Sequence, residues 1–101
     1  MPFLLAALVS LLLPSLVEAA PPRPVRLGLC VACHGESGRS RTPGTPHLAG
    51  QDETYLRNAL QAYRSGARRS QPMGSVASSL PARDIAGLAR WYARQPAGVG
   101  R

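Results

Sequence analysis

Apolar and polar positions alternate along this chain in blocks, and the blocks set out its elements. From Pro2 to Val17 the sequence is almost wholly apolar, broken at Ser10 and Pro14. Pro21 to Pro24 (Pro-Pro-Arg-Pro) reads as an extended linker. Val25 to His34 predicts a short helix ending at Gly35, and Glu36 to Gly50, rich in Gly, Ser, Arg, Thr and Pro, predicts a loop. Asp52 to Ser65 predicts a second helix. Tyr55, Leu56, Ala59, Leu60, Ala62 and Tyr63 recur at helical spacing on one broad face. Asp52 and Glu53 sit at its positive end, and Gly66 suits the position just past its last turn. Arg68 to Ser79 predicts a loop. A last helix is expected from Pro81 to Arg94, with Ile85, Leu88, Ala89 and Tyr92 as its apolar stripe and Pro96 as its stop. Ala97 to Arg101 reads as a frayed tail. No run alternates with period two, so the expected fold class is all-α, short helices joined by long loops.

The leading block has the outline of a secretory signal: an apolar core, a breaker, then small residues at a cleavage position. Val17 at −3 and Ala19 at −1 place the cut after Ala19. A cut after Ala20 would put the charged Glu18 at −3. The alternative is an uncleaved membrane anchor, but spanning needs about 20 apolar residues and this run is shorter and holds a proline. The expected organisation is a signal peptide over 1–19, a linker over 20–24, one domain over 25–96 and a flexible tail over 97–101. The expected location is the periplasm.

The processed chain of 82 residues lies near the size at which small domains need a staple. Its two cysteines are three positions apart and cannot form a disulfide framework. A bound prosthetic group is the natural substitute. Charge narrows the partners. All twelve basic residues are arginine, and the net charge of +7 becomes +8 without Glu18. Such a balance favours an acidic protein face, an anionic membrane surface or nucleic acid. Export disfavours nucleic acid and leaves peripheral membrane contact open. A solvated basic surface, partly offset by a cofactor's carboxylates, is the plainer reading.

Cys30-Val31-Ala32-Cys33-His34 is C-x-x-C-H, the spacing of covalent haem attachment. At about 100° per residue, Cys33 lies roughly 60° from Cys30 around a helix, with His34 about 40° to the other side. Two thiols therefore face one edge of a flat macrocycle, and the imidazole is aimed over the ring toward iron. A dithiol redox site would share C-x-x-C but expects a βαβ setting. A zinc site would need four ligands, and Cys30, Cys33, His34 and His47 are the only four candidates. Cys33 and its neighbour His34 could hardly bind one ion without strain. A disulfide across so short a loop would contribute little.

The second axial position has two candidates after processing, Met73 and His47. Met73 lies 39 residues beyond His34, in the loop Gln71-Pro72-Met73-Gly74 between two helices. Such a loop can fold over the far side of the ring, although a methionine in a Pro/Gly loop can equally be surface filler.

From Cys30 to Ala93 the sequence resembles the class I c-type cytochromes, in particular small monohaem bacterial periplasmic ones. The shared residues include C-x-x-C-H-G and Pro46-His47-Leu48-Ala49-Gly50-Gln51, which matches a P-x-L-A-G-Q loop. Tyr55-Leu56, Leu60, Tyr63, Gly66 and Arg68 match the following helix and its exit. Asp84-Ile85, Leu88-Ala89 and Trp91-Tyr92 match a C-terminal helix that packs on the N-terminal one in that fold. Pro81 departs from the pattern, standing where the family often has a capping serine. The resemblance implies a cytochrome c-like fold around one covalent haem c, with Cys30 and Cys33 as thioether anchors and His34 and Met73 as axial iron ligands. It also implies that the Pro46 carbonyl accepts the Nδ1 proton of His34. His47 falls on the variable position of its loop and is expected to be exposed and not a ligand. Tyr55, Tyr63 and Trp91 are expected to pack rather than relay electrons.

With both axial positions filled, the expected function is one-electron carriage between exported or membrane redox proteins, not catalysis. Donor and acceptor proteins with acidic faces are the expected partners. An alternative is a haem c subunit of a larger periplasmic dehydrogenase or oxidase. A ligand-binding enzyme or sensor would require Met73 to leave the iron.

Overall fold

A computed structural model describes residues 3–15 and 19–98. Val17 and Glu18, which bear on the expected cleavage position, and residues 99–101 of the expected tail lie outside the described residues. The described part is all-helical, with four helices: α1 (Gly28–His34), α2 (Glu53–Ser65), α3 (Met73–Ser78) and α4 (Ala82–Ala93).

α1 is shorter than expected because residues 25–27 form a separate turn, closed by Leu27 N–H on the Pro24 carbonyl at 3.1 Å. It stops at Gly35, whose φ of 78° lies in the region that favours glycine. α2 follows its sequence cues. The Asp52 carboxylate accepts from Tyr55 N–H at 2.8 Å as the N-cap, and Gly66 closes the helix in the left-handed conformation. Pro81 precedes α4 in extended conformation, with Asp84 in the first turn and Arg90 in the last.

α3 corrects the expectation that residues 68–79 are all loop. Six residues of Met, Gly, Ser, Val and Ala are too few to show a period and include two poor helix formers. Burial of Ala77 and packing of α3 on α2 supply what propensity lacks.

The core sits between α2, α3 and α4 and the approach to α1: Leu27, Leu56, Ala77, Leu80, Ile85, Leu88, Ala89 and Tyr92 are its buried apolar residues among those described. The four apolar positions read on α4 are the four that it buries. Full burial of each leucine or isoleucine contributes about 1.5–3 kcal/mol, and only five of these eight residues are of that kind, so the core is small. α4 is tied to the flanks of α1 by polar bonds as well. Arg26 pairs with Asp84 at 2.9 Å, the Trp91 indole donates to the Glu36 carbonyl at 2.8 Å, and the Tyr92 hydroxyl donates to the Gly35 carbonyl. The loop between α1 and α2 folds back on itself where Leu48 and Ala49 N–H both reach the Gly38 carbonyl, at 2.8 and 3.1 Å. A Cβ on Gly38 would stand 2.6 Å from Ala49 N and 2.8 Å from the Tyr92 ring, so only glycine fits there.

Residues 3–13 pack on none of this: Phe3, Leu4, Leu5 and Leu8 are each more than nine-tenths exposed. No helix among the described residues is long and apolar enough to cross a membrane.

Candidate functional site

α1 carries Cys30, Cys33 and His34 in one and a half turns and delivers them to a single cleft of about 360 Å³. α3 begins at the same cleft, where Met73 lines it together with Pro72 and Val76. Leu56, Ala59, Leu60 and Tyr63 of α2 give it an apolar wall. Tyr55 lies at the rim, half-exposed at 51 %. The broad apolar face read on α2 therefore divides: Leu56 enters the core, and most of the rest borders the cleft.

His34 is buried, and its Nδ1 lies 3.0 Å from the Pro46 carbonyl oxygen. A carbonyl can only accept, so Nδ1 carries the proton and Nε2 keeps its lone pair. That tautomer suits a metal-ligating imidazole, with the outer nitrogen engaged and the other available. Burial pushes the Cys30 thiol up from its ordinary value, so the neutral thiol is favoured there; Cys33 is exposed at the cleft. Two cysteine sulfurs, an imidazole with a free nitrogen, a thioether and apolar walls, all lining one cleft, fit a flat apolar macrocycle bearing a metal. Among the described residues no three His, Cys, Asp or Glu side chains are grouped to hold a metal ion, so a zinc site has no donor set.

Cys30, Cys33, His34, Pro46 and Met73 thus line this one cleft, and so does His47, the other candidate for the second axial position. His47 is exposed, as its variable position suggests, but it is not idle. Its Nδ1 accepts the backbone N–H of Ser40 at 2.9 Å. Ser40 is buried and was not legible as important, since nothing marks one serine in a loop of Ser, Thr and Gly. Arg68 lies with its guanidinium 4.7 Å above the Tyr63 ring and borders the cleft. With Arg64 and Arg69 it also lines a neighbouring shallow surface depression. Trp91 packs against the core, as expected.

Comparison with known proteins identifies the family. The family model described as Cytochrome c matches residues 27–96. The chain is similar to cytochrome c-554(548) of Halomonas halodenitrificans, 41 % identical over 73 residues that cover 69 % of this chain and 88 % of that protein. It is 36 % identical to cytochrome c4 of Pseudomonas aeruginosa over 75 residues, 74 % of this chain and 37 % of that one. It is 37 % identical to the thiosulfate dehydrogenase electron acceptor of Thiomonas intermedia over 87 residues, 84 % of this chain and 39 % of that one. The chain therefore spans less than two-fifths of the length of the last two. A match over residues 27–96, with Cys30, Cys33, His34 and Met73 all lining one cleft, establishes that the chain belongs to the cytochrome c family.

Proposed function

We propose that this chain is an exported one-electron carrier in which Cys30 and Cys33 hold haem c as thioethers and His34 and Met73 are its axial ligands. Covalent haem c is the cofactor of the family, electron transfer is its activity, and its partners are electron-donating and electron-accepting proteins. The observation that carries the site assignment is the fixed tautomer of His34, whose free Nε2 shares a cleft with the Met73 sulfur.

Haem iron supplies a one-electron couple in such a site. The residues set its terms. A thioether from Met73 favours the electron-rich reduced state more than a second imidazole would. The bond from His34 to Pro46 holds the imidazole plane and leaves little to rearrange when charge changes. Leu60 and Val76 give the cleft apolar lining. Export through a signal over 1–19, a linker over 20–24, a haem domain over 25–96 and a periplasmic location form part of the proposal. An apolar leading run with no surface to pack against supports it. Acidic faces on the partners are inferred from the arginine excess.

A second reading, a dedicated acceptor or subunit of a periplasmic dehydrogenase, is favoured by the 37 % identity to a protein named as an electron acceptor of thiosulfate dehydrogenase. Purification from the native cell separates the two: a free carrier runs alone, a subunit travels with a larger chain. The carrier reading itself is tested by spectroelectrochemical titration. A single reversible one-electron wave, with no carbon monoxide bound by the reduced protein as isolated, is expected. Ready carbon monoxide binding would overturn it.

A further inference from the structure

The hydrogen bonds around Pro46 form a closed circuit that extends beyond the pair already described. His34 Nδ1 donates to the Pro46 carbonyl. The next residue, His47, accepts the Ser40 backbone N–H at 2.9 Å. The Ser40 hydroxyl in turn reaches the Cys33 carbonyl at 2.9 Å, the nearer of two acceptors, with the Thr42 carbonyl at 3.2 Å, and Cys33 is the residue before His34. The circuit therefore leaves α1 at Cys33, passes through Ser40 and the His47 ring, and returns to α1 through Pro46. Ser40 is only 6 % exposed, and its Oγ also accepts Thr42 N–H at 3.1 Å, which fixes its rotamer.

We propose that Ser40 and His47 are positioning residues for the axial imidazole: they set where the Pro46 carbonyl stands and hence how strongly it draws on His34. A backbone N–H can only donate, so the His47 ring must present an unprotonated Nδ1 to Ser40. With that bond in place, the main chain at residues 46–47 is held from the Ser40 side. On the other side it is held by Leu48 N–H on the Gly38 carbonyl at 2.8 Å. Pro46 has no N–H of its own with which to anchor itself. A firm acceptor on Nδ1 makes the imidazole a stronger donor at Nε2, which favours the oxidised metal. Loosening the circuit weakens that donation and favours the reduced one.

The inference rests on His34 being the axial ligand, and the test reads the two claims separately. It uses the mature haem-loaded protein at one fixed pH near 8. Nitrogen-15 NMR of the reduced wild type reads both rings: ligated His34 with a protonated Nδ1, and His47 with Nδ1 unprotonated. His47→Ala removes the acceptor, while His47→Asn keeps an acceptor oxygen at nearly the same distance from the backbone. With alanine the reduction potential should rise, and the His34 Nδ1 proton should exchange with solvent roughly five- to tenfold faster, the worth of one net hydrogen bond. With asparagine both should stay close to wild type. The positioning role is overturned if alanine leaves potential and exchange unchanged, if asparagine shifts them as far as alanine does, or if wild-type His47 proves protonated at Nδ1. The last reading stands even if the alanine variant fails to mature. An unligated His34 in the wild-type spectrum would instead remove the axial assignment on which the inference stands.

Discussion

The Tyr92 hydroxyl donates to the Gly35 carbonyl across 2.9 Å, fastening the last helix to the residue that ends the haem-motif helix. Burial, more than the neighbouring Cys30 and Glu36, pushes this phenol well above its ordinary value. Once Cys30 is held as a thioether its share disappears, and burial remains. Below about pH 10 both folded and unfolded chains keep the proton and the contribution is complete. Above it the unfolded chain ionises first, so stability falls as pH rises toward the folded value. Tyr92→Phe should cost about 1 kcal/mol at neutral pH and flatten the alkaline decline. Denaturant midpoints between pH 8 and pH 11 check both parts.

Met73 starts α3 and lines the same cleft as His34. Met73→Ala should leave the haem attached and let carbon monoxide bind the reduced protein. The potential should fall on the order of 0.1–0.3 V, within the ~0.8 V that axial ligands span. The sulfur-to-iron charge-transfer band of the oxidised protein should vanish. If that band survives, the distal ligand is another residue.

Much of this arrangement could be read in advance, and the parts that could not have a common cause. α2 and α4 carry full turns of periodic apolar residues with recognisable ends at Asp52, Gly66 and Pro81, so local signals and packing agree. C-x-x-C-H fixes three site residues by spacing alone, because the chemistry needs that spacing. α3 escaped because six residues hold less than two turns, and its helicity depends on burying Ala77. Leu27 and Leu80 are among the most buried side chains yet lie outside any periodic run, so only the folded chain shows them as core. The Ser40–His47 bond joins residues seven apart across a glycine-bearing loop, where no pattern marks one pair over another.

Arg64 and Arg69 lie exposed beside the cleft that Met73 borders, and Arg68 stacks on Tyr63. Charges placed to steer a partner act at long range and are screened over a Debye length of about 8 Å at physiological salt. Neutralising Arg64 and Arg69 together should slow electron transfer to an acidic partner roughly tenfold at low salt. The loss should shrink at high salt, with little change in stability. Neutralising Arg68 should instead shift stability or potential at any salt if its place at the cleft braces the haem. Stopped-flow rates across ionic strength separate these effects. An unchanged low-salt rate in the double variant would remove this patch from docking.

Covalent attachment through Cys30 and Cys33 is read from the denatured protein. The mature protein, unfolded and run on a gel, should keep its haem-dependent peroxidase stain, and acidified organic solvent should extract no colour from it. Cys30→Ala and Cys33→Ala should each impair maturation, since each removes one anchor. Transfer of all the colour into the solvent from wild-type protein would mean that neither cysteine holds the haem.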